Sequence, residues 1–167
     1  DCLPEILKTC VDQSLPLVIG TTGFNSNHQE LISQAKQTIP ILMASNMSIG
    51  IANLKQAIKS FLMSSQESFE CNVVEIHHTH KVDAPSGTAL EIIRFLEELP
   101  YNKIQTPITV NSHRIGDAFG THRVEFHNTK KTISFQHIAH SRDIFASGAV
   151  AGAKWIISNS PGLYSFD

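Results

Sequence analysis

The sequence predicts an α/β fold in two lobes, the first built on a parallel sheet with crossover helices and the second on a sheet with one buried face. Two observations carry this. Helix-like and strand-like segments alternate through residues 3–44, the pattern of parallel strands joined by helices. Farther along, three short runs follow one another with turn residues between them, and their apolar residues fall at every second position, the period of a half-buried strand.

Leu3 to Leu15 reads as an amphipathic helix, because Ile6, Leu7, Cys10 and Val11 recur at helical spacing and Pro4 suits a first turn. Leu15 to Ile19 is a short apolar strand ending in the tight turn Gly20-Thr21-Thr22-Gly23. Asn25 to Ile39 reads as a second helix with Leu31, Ile32 and Ala35 on its apolar face, and Pro40 to Ala44 as a second strand followed by Ser45-Asn46-Met47-Ser48. Ile49 to Ser64 is a helix with Ile51, Leu54, Ile58 and Leu62 in phase. Asn72 to Ile76 is a strand, and Ser86 to Leu99 a helix with Leu90, Ile93 and Leu96 on one face. Ile108 to Arg114, Thr121 to His127 and Thr132 to Ala139 are the three strands of the second sheet; Val124, Phe126, Ile133 and Phe135 mark its buried face. Phe145 to Ile157 is a last helix, rich enough in Ala and Gly to pack close against a sheet or a cofactor.

The bulk properties exclude several classes. At 167 residues, 41% hydrophobic and 17% charged, the chain has the composition of an ordinary globular protein. A net charge of -2 gives no case for a nucleic-acid or anionic-membrane partner. No apolar run reaches the length of a membrane span. Cys2, Cys10 and Cys71 are odd in number and lack CxxC spacing, which argues against a disulfide framework or a cysteine zinc site and for a reducing, cytoplasmic setting.

The densest chemistry lies in Val74 to Ala89, V-E-I-H-H-T-H-K-V-D-A-P-S-G-T-A, a strand running through a polar loop into a helix N-terminus. Because neighbouring strand side chains face opposite sides, His77 and His78 should not share one task. A histidine and Lys81, four residues on, can converge on one substrate, the first moving a proton near neutral pH and the second supplying fixed positive charge. The bland alternative is a solvated basic loop. A metal site is not expected: His77, His78 and His80 are followed by no second ligand cluster at zinc spacing. Ser86 suits a helix cap, and Gly87 lets backbone N–H groups approach an anion, though an ordinary capped helix start reads the same way. Gly20, Thr21 and Thr22 lie at the carboxyl end of a parallel strand, where cofactors sit, with Asn46 lining the same crevice; Arg142, ahead of the last helix, can reach an anion or simply face solvent.

The pattern H-H-T-H-K-V-D-A-P-S-G-T-A resembles the signature of the dihydrodipicolinate reductases of lysine biosynthesis. G-T-T-G-F at 20–24, A-S-N-M-S at 44–48, G-D-x-x-G-x-H at 116–122 and S-R-D-I-F-A-x-G-A at 141–149 follow in the family's order. The resemblance implies an NADH- or NADPH-dependent reduction of 4-hydroxy-tetrahydrodipicolinate to tetrahydrodipicolinate in the diaminopimelate route. It implies His77 as catalytic proton donor and acceptor, Lys81 as second proton donor, and His78, Gly87 and Thr88 as ligands of the substrate carboxylates. The cofactor set it implies is Gly20, Thr21, Thr22, Ala44, Ser45, Asn46, Met47 and Arg142. It further implies a homotetramer built through the second sheet, with a partial doubly wound, Rossmann-like nucleotide-binding lobe at 1–47 and 142–167 and an α+β substrate and oligomerisation lobe with a mixed sheet at 48–141. The family's opening strand and G-x-x-G-x-x-G turn have no counterpart among these residues, so the chain is expected to be a fragment that alone binds NAD(P)H poorly and turns over little. The alternatives are an inactive C-terminal piece that keeps assembly and dicarboxylate binding, or a reductase acting on a different small anion.

Overall fold

The computed structural model describes residues 2–166 and divides into two compact units, one comprising the residues up to Ser48 with Phe145–Phe166 and the other Ile49–Ile144. The first unit is a parallel sheet with helices. Helix α1 (Leu3–Asp12) leads to β1 (Leu17–Ile19), α2 (Ser26–Ala35) and β2 (Pro40–Met43); α5 (Asp143–Ile156) and β7 (Gly162–Tyr164) complete it. The strand order is β1-β2-β7 and both pairings are parallel, with Leu17 opposite Ile41 and Ile41 opposite Leu163. Leu7, Ile19, Ile32, Ala35, Ile39 and Ile41 form its core.

The second unit runs α3 (Ile49–Ser64), β3 (Phe69–His77), α4 (Gly87–Glu98), β4 (Ile104–Arg114), β5 (Gly120–His127) and β6 (Thr132–Ala139). Its sheet has the order β4-β3-β5-β6, parallel between β3 and β4 and antiparallel elsewhere. One face is covered by α3 and α4. There Ile58, Leu62, Phe69, Val73, Ile92, Val124 and Phe126 pack into a core with no exposed surface among the largest of them. A parallel sheet with helices in one unit and a mixed sheet under helices in the other make the α/β architecture that the periodicities predict.

Several boundaries differ from the sequence reading, each for a local reason. Helix α1 stops at Asp12, not Leu15, because Ser14 takes a left-handed conformation (φ 53°) and the Leu15 N–H turns back to the Cys10 carbonyl at 2.8 Å, a left-handed C-terminal cap made without glycine. Helix α2 ends at Ala35 instead of continuing to Ile39; the Thr38 and Ile39 N–H groups both return to the Ala35 carbonyl and swing Ile39 into the core. Strand β3 begins at Phe69 instead of Asn72. Strand β4 begins at Ile104, ahead of Pro107, although proline breaks a ladder. It is tolerated because β4 is an edge strand and its register against β3 slips between Glu70 and Asn72. Strand β7, only three residues long and opening at Gly162 directly after Pro161, is not anticipated from the sequence at all.

Candidate active site

The pleat of the second sheet builds the site. Phe69, Cys71, Val73, Glu75 and His77 alternate along β3 and are buried, so one strand face runs from a hydrophobic core at Phe69 to ionisable groups at its carboxyl end. The neighbouring strands continue each row: Phe126 lies opposite Cys71, Val124 opposite Val73 and His122 opposite Glu75, while Ser112 and Arg114 of β4 pair with Glu75 and His77. Apolar rows at one end thus give way to a row of Glu75, His122 and Ser112 and then to His77 and Arg114.

Within this cluster His77 Nδ1 hydrogen-bonds Glu75 Oε2, and the other Glu75 oxygen is 3.0 Å from Arg114 Nη2. Burial opposes the charge on Glu75, but hydrogen bonds from Arg114 and Ser112 and the charges of His77 and Arg114 outweigh it and hold the carboxyl below the ordinary glutamate range. His77 is shifted down, chiefly by burial, against the pull of Glu75 and with the help of Lys81 and Arg114. Its ring meets that of His122 edge-on, with centroids 5.1 Å apart. Gly120 makes this possible: at φ +155°, a Cβ there would stand 3.2 Å from His77 Nε2, crowding the one edge of the imidazole that Glu75 does not take. Glu75, His77 and His122 bring three ligand atoms within 4.8 Å of one another. A guanidinium already sits on the Glu75 carboxylate, where it would repel a second cation, so the trio reads as a hydrogen-bonded Glu75–His77 pair with the His122 ring packed against it.

His122 is held neutral by burial first, with His77 next, which pushes its pKa down to about 3. The unfolded chain, with histidine near its ordinary 6.5, therefore binds the extra proton first, and stability is lost as pH falls below about 6.5. His77 and His137 are shifted in the same direction. Between pH 7 and 5, the His122 contribution amounts to about 2 kcal/mol. We expect urea unfolding midpoints to drop over that range in the wild type, and to drop less in His122→Gln.

The polar loop after β3 carries the other predicted groups. Its backbone is fixed by the Ile115 N–H to the His77 carbonyl (2.8 Å) and the Thr79 N–H to the Gly116 carbonyl (3.0 Å). Arg114 also donates from Nε to the Lys81 carbonyl at 3.2 Å and from Nη2 to the Asp83 carbonyl. Lys81 Nζ is 2.8 Å from Asp83 Oδ1, and that pairing together with the Gly87 N–H lowers the Asp83 pKa. The Ser86 hydroxyl accepts from the Ala89 N–H at 3.2 Å and caps α4, so Gly87 and the buried Thr88 form its first turn. His77 is buried and His78 half-buried, as opposite faces of the strand require; His78 lies against His80 with ring centroids 6.1 Å apart. The second unit thus gathers His77, His78, Lys81, Gly87 and Thr88 around one strand end and one helix N-terminus. Sequence reasoning missed Arg114, Gly120 and His122 as members of this cluster and gave Glu75 no role. Glu75 carried a signal in its i, i+2 spacing from His77 on one strand face, and Gly120 and His122 in the G-D-x-x-G-x-H segment at 116–122, which marks the family without giving them a role; Arg114 carried none.

In the first unit, β1 and β2 end side by side, and the Ala44 N–H donates to the Ile19 carbonyl at 3.2 Å. The turns that follow touch: a Cβ on Gly20 would lie 3.4 Å from Met47 Cγ and Cε. Thr21 and Thr22 are exposed, Ala44 and Met47 are buried, and Asn46 Oδ1 accepts from the Ser48 N–H at 2.8 Å. Two polar turns at the carboxyl ends of adjacent parallel strands fit the edge of a dinucleotide crevice. Arg142, exposed ahead of α5, falls within the span of the second unit and is not gathered with these turns inside the first.

Known proteins place the chain in a family. Residues 1–47 match the family model described as "Dihydrodipicolinate reductase, N-terminus" and residues 50–167 the one described as "Dihydrodipicolinate reductase, C-terminus". A 4-hydroxy-tetrahydrodipicolinate reductase from Bdellovibrio bacteriovorus is 37% identical over 164 residues, covering 98% of this chain and 69% of its own length. The enzyme of that name from Campylobacter lari is 41% identical over 169 residues, covering 91% of this chain and 69% of its own. The fold matches that of a dipicolinate-bound dihydrodipicolinate reductase from Paenisporosarcina sp. TG-14 with a TM-score of 0.74 at 22% identity, over 98% of this chain and 68% of that one. With both halves of the chain matched in order, and relatives well above a third identical over nearly its whole length, this protein belongs to the dihydrodipicolinate reductase family.

Proposed function

We propose that the second unit binds 4-hydroxy-tetrahydrodipicolinate and manages its protons during reduction to tetrahydrodipicolinate, and that the first unit contributes to holding NADH or NADPH. The family is one of pyridine-nucleotide-dependent reductases of diaminopimelate and lysine biosynthesis. The observation that carries the residue assignment is the convergence of a buried histidine, a lysine and a capped helix N-terminus at one end of β3.

A nicotinamide, when bound, would supply the hydride. The chain's own residues do the rest. Gly87 and Thr88, in the first turn of α4, present backbone N–H groups and the positive end of the helix dipole to one substrate carboxylate, which takes the Gly87 N–H over from Asp83. His78 and the Lys81 ammonium face the anionic substrate from the loop; to reach it, Lys81 exchanges its Asp83 partner for a substrate carboxylate. Water leaves as the ring hydroxyl is protonated and the adjacent ring carbon gives up a proton; one further proton then balances the hydride, so the net uptake is one hydride and one proton. His77 takes up and releases protons at Nε2, and Lys81 is the second donor. Within the first unit, Gly20, Thr21, Thr22 and Ala44 to Met47 would hold the nicotinamide end of the cofactor. The protein works as a homotetramer assembled through the open face of the second sheet, in the cytoplasm, where Cys2, Cys10 and Cys71 stay reduced; all three are free thiols. No helix among the described residues is long and apolar enough to cross a membrane.

The test is oxidation of NADH and of NADPH by the protein with freshly generated 4-hydroxy-tetrahydrodipicolinate, alongside calorimetric binding of dipicolinate. These 167 residues alone should oxidise either nucleotide slowly, and faster when the family's opening strand and G-x-x-G-x-x-G turn are joined ahead of them. Dipicolinate binding without oxidation of either nucleotide even then would overturn the reductase reading. Lys81→Ala should weaken dipicolinate binding by about 10- to 100-fold, the loss of one charge-assisted contact; unchanged affinity would remove Lys81 from the carboxylate site.

A further inference from the structure

We propose that Glu75, anchored by Arg114, is the positioning residue of this site: its carboxylate accepts the His77 Nδ1 proton and leaves Nε2, the nitrogen beside Gly120, as the atom that exchanges protons with the substrate. This rests on the reading of His77 as the proton carrier and adds to it a group that touches neither substrate nor cofactor.

Three observations converge. Glu75 is completely buried, which a carboxylate tolerates only when its charge is matched. One oxygen is matched by Arg114 at 3.0 Å and the other is aimed at His77 Nδ1. An ionised carboxylate can only accept, so Nδ1 must donate, and a neutral imidazole then has its lone pair on Nε2. On that side the sheet provides Gly120, whose missing side chain leaves the ring edge clear. When Nε2 gains a proton, the imidazolium forms next to a fixed negative charge, which offsets the burial that opposes it.

Arg114 gives the arrangement a second function. The same guanidinium that neutralises Glu75 hydrogen-bonds the Lys81 and Asp83 carbonyls. The orientation of His77 and the path of the loop that carries Lys81 are therefore set by one side chain. The charged and titratable groups around His77 are Glu75 on its own strand, Arg114 on β4, His122 on β5 and Lys81 in the loop. Of these, Glu75 alone favours the protonated ring.

The experiment compares wild type, Glu75→Gln and Glu75→Asp by long-range ¹H–¹⁵N NMR of the His77 ring and by pH–rate profiles. In the wild type His77 should be the Nδ1–H tautomer. In Glu75→Gln the His77 pKa should fall further, because the charge that raised it is gone. The limb of the profile that titrates with His77 should then move to lower pH, and kcat should drop by on the order of 10²-fold or more with KM changed much less. Glu75→Asp keeps the charge and should recover part of both the pKa and the rate. If Glu75→Gln does not fold, the wild-type tautomer and Glu75→Asp still decide. A wild-type Nε2–H tautomer, or a glutamine variant with an unmoved His77 titration and rate, would overturn the proposal. Those outcomes differ from turnover surviving in His77→Gln, which would instead remove the proton-carrier reading beneath it.

Discussion

His77→Gln should lower turnover by about 10²–10⁴-fold, the usual contribution of a positioned general acid–base group. Glutamine has a similar volume and its amide N–H can still donate a hydrogen bond to Glu75, so the buried row on β3 keeps its packing. What it lacks is a site that gains and loses a proton near neutral pH. The loss should therefore appear in kcat, with dipicolinate affinity held within about threefold, because in this account carboxylate binding belongs to Lys81, His78 and the start of α4. The measurement is NAD(P)H oxidation across pH, paired with dipicolinate calorimetry on the same preparation. Turnover within about threefold of wild type would remove His77 from the proton path; equal losses of rate and affinity would make it a binding residue instead.

Phe126→Ala should cost about 3–5 kcal/mol of stability. Phe126 has no exposed surface and lies against Phe61, Phe69 and Phe135 with ring centroids 5.5, 6.1 and 6.1 Å apart. Those neighbours come from α3, β3 and β6, so the cavity cannot close without moving three elements at once. Against a typical total of roughly 5–15 kcal/mol, such a loss leaves the second unit close to unfolding. Urea unfolding followed by far-UV circular dichroism would read it as a lowered midpoint. A cost below about 1 kcal/mol would mean that the aromatic cluster repacks freely and is not the rigid base that the site requires.

Much of this was legible in the sequence because much of it is periodic. Helix α3 and strand β6 fall where the apolar spacing places them, and the alternation of Val124 and Phe126 identifies the buried face of β5. The proton-carrying stretch was legible for a different reason: His77, Lys81, Gly87 and Thr88 are neighbours along the chain, so their convergence needs only one strand, one loop and one helix start. Arg114 and His122 come to that place through strand register, with His77 paired to Arg114 and Glu75 to His122. Register over a separation of some forty residues is set by packing that local patterns do not encode. Strand β7 was missed because three residues beside Pro161 carry no period; parallel pairing with β2 is what makes them a strand.

The single-file placement of core and chemistry on one face of β3 constrains how this gene can change. A substitution at Phe69, Cys71 or Val73 alters packing and leaves Glu75 and His77 where they are. Inserting or deleting one residue anywhere between Phe69 and His77 exchanges the two faces of everything beyond it. Ile76 and His78 would then turn towards the helices, and Glu75 and His77 towards the open side. Length variation is therefore barred from this strand and confined to the turns around residues 65–68, 99–103 and 128–131, which join the sheet to its neighbours without carrying the site. Among descendants of this protein, point changes in β3 should be graded in effect, whereas a one-residue change in its length should be lost at once.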